Sequence, residues 1–180
     1  MESVVLSAVL IPVAGPFLLP LLNRISKDLR NIGSVVIIAA TFILNIYLMN
    51  SSFQFSAKYI IPFPLGFDLI LRLDPLSAFM ATITSLTSLV IVIYSIDYIS
   101  HYENQTEYYT MVVLFIGSMI GLVYSDNLMW MYVFWEMTAF TSWRLVGFFR
   151  SDKDVLKANK TILVTVFGAI VMLIGIIMIY

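Results

Sequence analysis

Six apolar stretches, at 4–22, 32–49, 75–94, 109–124, 128–149 and 162–180, take up most of this 180-residue chain. Each is near the ~20 residues that a helix needs to cross about 30 Å of hydrocarbon. A water-soluble domain would not carry 61% hydrophobic and only 12% charged residues with a mean hydropathy of +0.96. Inside a bilayer each segment must satisfy its own backbone hydrogen bonds, which leaves helices or a closed barrel. Spans of this length favour helices. The expected fold is therefore an all-α membrane protein, a bundle of about six transmembrane helices in one domain over 1–180. A net charge of -1 offers no basic patch for phosphates, so nucleic acid is not expected as a partner. With no cysteine and one histidine, disulfides, cysteine-ligated zinc and iron–sulfur clusters are excluded, and little remains for haem. No cofactor is expected, and any electron transfer belongs to another chain.

The first stretch contains Pro12, Gly15, Pro16 and Pro20, each of which disturbs the helical hydrogen-bond ladder, so it is expected to kink. Asp74-Pro75 reads as a helix start, because Asp caps free N–H groups and proline at the first position lacks the donor that would be orphaned. Between 50 and 73 lies the longest connection, where Pro62, Pro64 and Gly66 predict an irregular surface loop. The link Ser125-Asp126-Asn127 is so short that the flanking spans must be antiparallel neighbours, with Asp126 or Asn127 as the cap. Arg24, Lys27 and Arg30 fall between the first two spans, and Arg150, Lys153, Lys157 and Lys160 between the last two, whereas the opposite side has Lys58 and Arg72. Short cytoplasmic loops hold the excess of Lys and Arg. The chain is thus expected to be a multi-pass protein of the cell membrane, lipid-embedded, with both termini outside. Glu2 without a neighbouring Lys or Arg lacks the basic start of a signal peptide, so the first helix is expected to be retained.

Glu136 is a carboxylic residue inside the 128–149 stretch, which is otherwise read as apolar enough to span. It lies about 12 Å from Leu128 at 1.5 Å per residue, near the middle of the hydrocarbon. A charge there costs on the order of 3 kcal/mol on insertion scales, so such residues face a protein interior or a water path and mark ion routes. Tyr132 is one turn earlier, where its phenol can reach the carboxyl. Glu136 is either a proton-exchanging carboxylate or a carboxyl held protonated by a neighbouring helix. Arg144 is about 12 Å further along the axis, either linked to Glu136 through water or serving as an interfacial anchor. Thr82, Thr84, Ser85, Thr87, Ser88, Thr138, Thr141 and Ser142 either line a hydrated path or bond the carbonyl one turn back. Gly117 and Gly121 form a GxxxG face suited to helix packing. Trp130, Trp135 and Trp143 fit an aromatic belt or the helix interface. His101, with Asp97, Glu103 and Glu107 nearby, reads as a solvated loop in preference to a metal site.

Arg72-Leu-Asp74-Pro-Leu-Ser77, then Tyr94-Ser-Ile-Asp-Tyr98 followed by Glu103, and above all Ser125-Asp126-Asn127-Leu-Met-Trp-Met-Tyr132-Val-Phe-Trp135-Glu136 with Gly147-Phe148 carry a family resemblance. The chain resembles the antiporter-like subunits of complex I and the large subunit of Mrp-type cation/proton antiporters. The run Lys160-Thr-Ile-Leu-Val-Thr165-Val-Phe-Gly168 is more similar to the latter. The resemblance implies that Glu136 matches the family's functional glutamate on the fifth helix, coupled to a lysine on the seventh. Such proteins usually have about fourteen helices, so the expected bundle is an incomplete version of the antiporter-like fold. A companion chain would then supply the later helices within an Mrp-type, complex I-like or hydrogenase-like assembly, unless the chain is a structural remnant. Arg144 stands where the family usually has an aliphatic residue, and Lys157 and Lys160 lie at the boundary. The expected pathway residues are Glu136, Arg144, Tyr132 and Lys160. The favoured reading is an ion-translocating fragment for protons or sodium; the alternative is a non-conducting scaffold subunit. No catalytic site is expected, because no nucleophile–base pair, nucleotide loop or metal cluster is present in the sequence.

Overall fold

The computed structural model describes residues 2–53, 57–63 and 67–179. The first apolar stretch is interrupted as expected. Helix α1 (Glu2–Ala14) gives way to a 3₁₀ turn at Gly15–Leu18, and α2 (Leu19–Ile25) follows. Pro16 and Pro20 each occupy the start of a new segment, where a missing N–H costs least. Helix α3 (Lys27–Ser52) starts at Ser26, whose Oγ accepts from the Asp28 N–H at 3.2 Å. Helix α4 (Pro75–Tyr98) has the expected Asp74 cap and more: Asp74 Oδ1 accepts from the Ser77 N–H at 2.8 Å, while Ser77 Oγ accepts from the Asp74 N–H at 3.0 Å. That reciprocal pair satisfies two donors that a helix start would otherwise leave open. Helices α5 (Gln105–Tyr124), α6 (Leu128–Val146) and α7 (Asp152–Ile179) complete the bundle. Asn127, the second of the two cap candidates, caps α6 by accepting from the Met129 N–H at 2.8 Å.

One expectation is corrected. The long connection is not wholly irregular: β1 (Ala57–Ile61) and β2 (Leu69–Leu73) form an antiparallel hairpin, with Ala57 opposite Leu73 and Ile61 opposite Leu69. Its Tyr-Ile-Ile and Leu-Ile-Leu runs suit a pleated surface, and Leu69, Leu71 and Leu73 alternate into the core. Pro62 follows β1, and Pro64 and Gly66 fall outside the described residues. Among the described residues, five helical segments are long and apolar enough by length and composition to cross a membrane, and α6 completes the expected bundle of about six. Its Trp, Tyr, Thr, Glu and Arg side chains lower its hydropathy. It is held in the bundle by packing antiparallel to α5 on one side and against α7 on the other.

Helix α5 is central, touching α1, α4 and α6. Gly117 and Gly121 serve packing as the sequence suggests, but each faces a different neighbour. A Cβ at Gly117 would lie 2.5 Å from the Pro12 carbonyl in α1, and one at Gly121 would lie 2.5 Å from the Phe134 ring in α6. Asn45 of α3, fully buried, accepts from Tyr124 Oη at 2.9 Å, and its carbonyl accepts from Thr82 at 3.2 Å. Through its side chain and its main chain, this one residue ties α3, α4 and α5 together. Five of the eight expected hydroxyls, on Thr82, Ser85, Ser88, Thr138 and Thr141, bond carbonyls three or four residues back. For these the bonding-back alternative holds.

Candidate functional site

The Ser125-Asp126-Asn127 link is a junction between the hairpin and α6. Leu71 bridges to Ser125, and the Asp126 N–H donates to the Ile70 carbonyl at 2.8 Å. The Asp126 carboxylate meets Lys58 at 3.0 Å and Arg72 at 3.7 Å. Asn127 Nδ2 donates to the Asp68 carbonyl at 3.1 Å, and Trp130 Nε1 to the Phe67 carbonyl at 2.8 Å. Trp130 is thus a hairpin contact, with its ring edge-on to Phe63. These bonds fix where α6 begins and hence how deep Glu136 sits.

From that start, Glu136 comes two turns into α6. It lines an apolar recess of ≈ 310 Å³ with Leu114 of α5 and Tyr132, Val133, Met137 and Phe140 of α6. One carboxyl oxygen, Oε1, is buried and has no hydrogen-bond partner. Tyr132, one turn earlier, lines the same recess. A buried carboxyl oxygen without a partner costs free energy unless a proton or cation satisfies it. The recess thus leaves one acceptor atom, Oε1, open.

Arg144 is brought to a different acceptor. Its Nε meets Glu107 Oε1, and Arg150 Nη2 donates to Glu107 Oε2 at 2.7 Å. Glu107 stands in the first turn of α5 and Arg144 in the last turn of α6. Each therefore complements its own helix dipole as well as the other. The sequence placed Glu107 in a solvated loop; the spacing of 37 residues to Arg144 gives no local signal for their pairing. Lys160 is exposed on α7 and lines a separate recess with Lys157, Thr161, Val164 and Thr165. Glu136 and Tyr132 are thus together, whereas Arg144 and Lys160 lie elsewhere. Arg30 was counted only as a charge marker, yet it is 2% exposed. It donates to Asn23, Asn31, Gln105 and Thr106 and covers the Tyr109 ring, joining α2, α3 and α5. Asn45 was also overlooked, although a lone amide in an apolar span is itself a signal for an interhelical bond.

These features, an antiparallel α5–α6 pair entered through Ser-Asp-Asn and carrying a mid-helix glutamate, define an antiporter-like membrane bundle. Residues 61–109 match the family described as NADH-ubiquinone oxidoreductase (complex I), chain 5 N-terminus, and residues 125–180 match NADH:quinone oxidoreductase/Mrp antiporter, TM. The chain belongs to this antiporter-like family of Mrp and complex I membrane subunits. It is 35% identical over 178 residues to Na(+)/H(+) antiporter subunit A1 of Staphylococcus haemolyticus, covering 96% of this chain and 22% of the relative. The corresponding Staphylococcus aureus subunit is 30% identical, with 95% and 22% covered. The chain thus spans about a fifth of the length of these relatives. Its fold is similar to a chain of the Mrp complex from Dietzia sp. DQ12-45-1b, with TM-score 0.81, 26% identity and coverage of 94% of this chain and 18% of that one. An archaeal membrane-bound sulfane sulfur reductase gives TM-score 0.85 at 18% identity, covering 97% and 36%. Respiratory complex I from Thermus thermophilus gives 0.74 at 22%, covering 92% and 33%. The last two likenesses concern the fold alone.

Proposed function

We propose that this chain forms part of an ion-translocating, antiporter-like subunit of a multisubunit membrane complex, and that Glu136 is its proton-exchanging carboxylate. The observation that carries the reading is the buried, partnerless Oε1 of Glu136 in an apolar recess midway along α6. A carboxyl oxygen with no donor in an apolar recess is an open acceptor for a proton or small cation. Tyr132 lines the recess beside the carboxyl from one turn away. The likeness to Na(+)/H(+) antiporter subunits supports exchange of protons against sodium. Arg144, held by Glu107, anchors the end of α6. Lys160 contributes a cation at the basic end of α7, in a recess apart from Glu136.

The partners are other membrane subunits of an Mrp-type or complex I-like assembly, a reading supported by the exposed apolar side chains Val164, Phe167 and Val171 along α7. Both termini lie outside. Support comes from the gathering of Arg24, Lys27, Arg30, Arg144, Arg150 and Lys153 toward one end, whereas Lys58 and Arg72 at the other are paired with Asp126. The test is transport in sealed vesicles containing all co-purifying subunits. Glu136→Gln should cut proton-coupled transport at least about tenfold, and Glu136→Asp should keep part of it. Normal assembly with wild-type transport in Glu136→Gln would give first place to the non-conducting scaffold.

A further inference from the structure

A second recess, of ≈ 360 Å³, opens between α6 and α7 at the basic end, lined by Trp143, Arg144, Gly147, Arg150, Val155, Ala158 and Asn159. Two guanidiniums border it, and Glu107 is the one side-chain acceptor they meet among the described residues. Two guanidiniums offer about ten N–H donors, whereas one carboxylate has about four acceptor sites. Most donors, and one net positive charge, are left over. Arg144 is 34% exposed and Arg150 52%, so these donors are reachable. Glu107 holds both side chains in place without neutralising them, which reduces the entropy that a ligand must overcome.

We infer that this recess binds the phosphate group of an anionic phospholipid. Guanidinium pairs match phosphate oxygens in a bidentate fork. Asn159 adds an amide donor at the same recess. A free phosphate ion shares this chemistry, but the other walls, Trp143, Val155 and Ala158, are apolar and favour a lipid. Below the recess the same face of α7 continues, at helical spacing, through the exposed Leu163, Val166 and Ile170, a track for acyl chains. Lys153 and Lys157 stand in the first turns of α7, offset by Asp152 and Asp154, and Lys157 approaches Asp154 at 4.0 Å. The excess positive charge of the two arginines therefore decides the sign of the ligand.

The test uses native mass spectrometry of the protein purified with its accompanying subunits and stripped of lipid with neutral detergent. The probes are dioleoylphosphatidylglycerol, dioleoylphosphatidylcholine and inorganic phosphate. The wild type should retain phosphatidylglycerol about tenfold better than phosphatidylcholine, and excess inorganic phosphate should not displace it. R144L/R150N should lose that preference. Because Arg150 has a left-handed φ of 53°, which Asn adopts readily, R150N keeps the turn and decides the matter alone if the double variant misfolds. R150N should weaken retention several-fold. Equal retention in R150N and wild type, equal retention of phosphatidylcholine, or displacement by inorganic phosphate would each overturn the assignment. None of these results depends on whether Glu136 exchanges protons.

Discussion

Replacing Gly117 by alanine tests the packing that places α5 at the centre of the bundle. The added Cβ would lie 2.5 Å from both the carbonyl carbon and oxygen of Pro12 and 2.7 Å from the Val13 nitrogen. Those are backbone atoms, so no side-chain rotation relieves the overlap, and α1 must move away from α5 just before its break at Gly15. Overpacking of this kind costs about 1–3 kcal/mol. At roughly 2–4 °C per kcal/mol for a chain of this size, the apparent Tm should fall by roughly 2–12 °C. Gly168→Ala is the matched control: nothing lies within 4 Å of its Cβ position, so steric cost is absent. Its helix propensity gain is up to ~1 kcal/mol. The assay is thermal unfolding of the purified protein in one detergent, read by circular dichroism. Gly117→Ala melting with the wild type, or both variants falling equally, would refute the close approach of α1 and α5.

Tyr124→Phe removes the hydroxyl that bonds Asn45 at 2.9 Å, and should lower stability by about 1 kcal/mol in the same thermal assay; no change would mean that the Asn45 amide does not tie the helices together. Glu107→Gln and Arg144→Leu should have overlapping effects, with a coupling of about 0.5–1 kcal/mol in a double-mutant cycle, modest because Arg144 is a third exposed; strict additivity would show that the pair does not act as one. Asp74→Ala should cost about 1 kcal/mol through loss of the α4 cap, and Asp74→Asn much less, since the amide oxygen still caps. Cysteines at Lys27 and Lys153 should react with an impermeant thiol reagent only from the cytoplasmic side, and labelling from outside in sealed cells would reverse the orientation.

What could be read from the sequence was the local chemistry. Asp74-Pro75, the broken first helix and the Asn127 cap each depend on a few consecutive residues, and all three are present. The hairpin was missed because Pro62, Pro64 and Gly66 drew attention to the turn, although Lys-Tyr-Ile-Ile and Leu-Ile-Leu-Arg-Leu beside them carry strand-forming side chains. Its pairing with Ser125 and Asp126 brings together residues more than 50 apart and has no local signature. Glu107 failed for the same reason: a carboxylate beside His101 and Glu103 looks solvated until α6 returns with Arg144 and Arg150. For α6 itself, length and the apolar residues around Glu136 point to a span, although its hydropathy falls below that of the five other long helical segments. Helix packing holds it there.

The central claim, that Glu136 gains and loses a proton inside the bundle, is tested most directly by infrared difference spectroscopy of the protein in lipid as pH is cycled. The protonated-carboxyl stretch is compared between wild type and Glu136→Gln, with isotope-labelled glutamate to separate it from aspartate. A band that rises and falls reversibly with pH in the wild type and is missing in Glu136→Gln is the predicted result. A titrating band of equal size in both, or a wild-type spectrum without one, would contradict it.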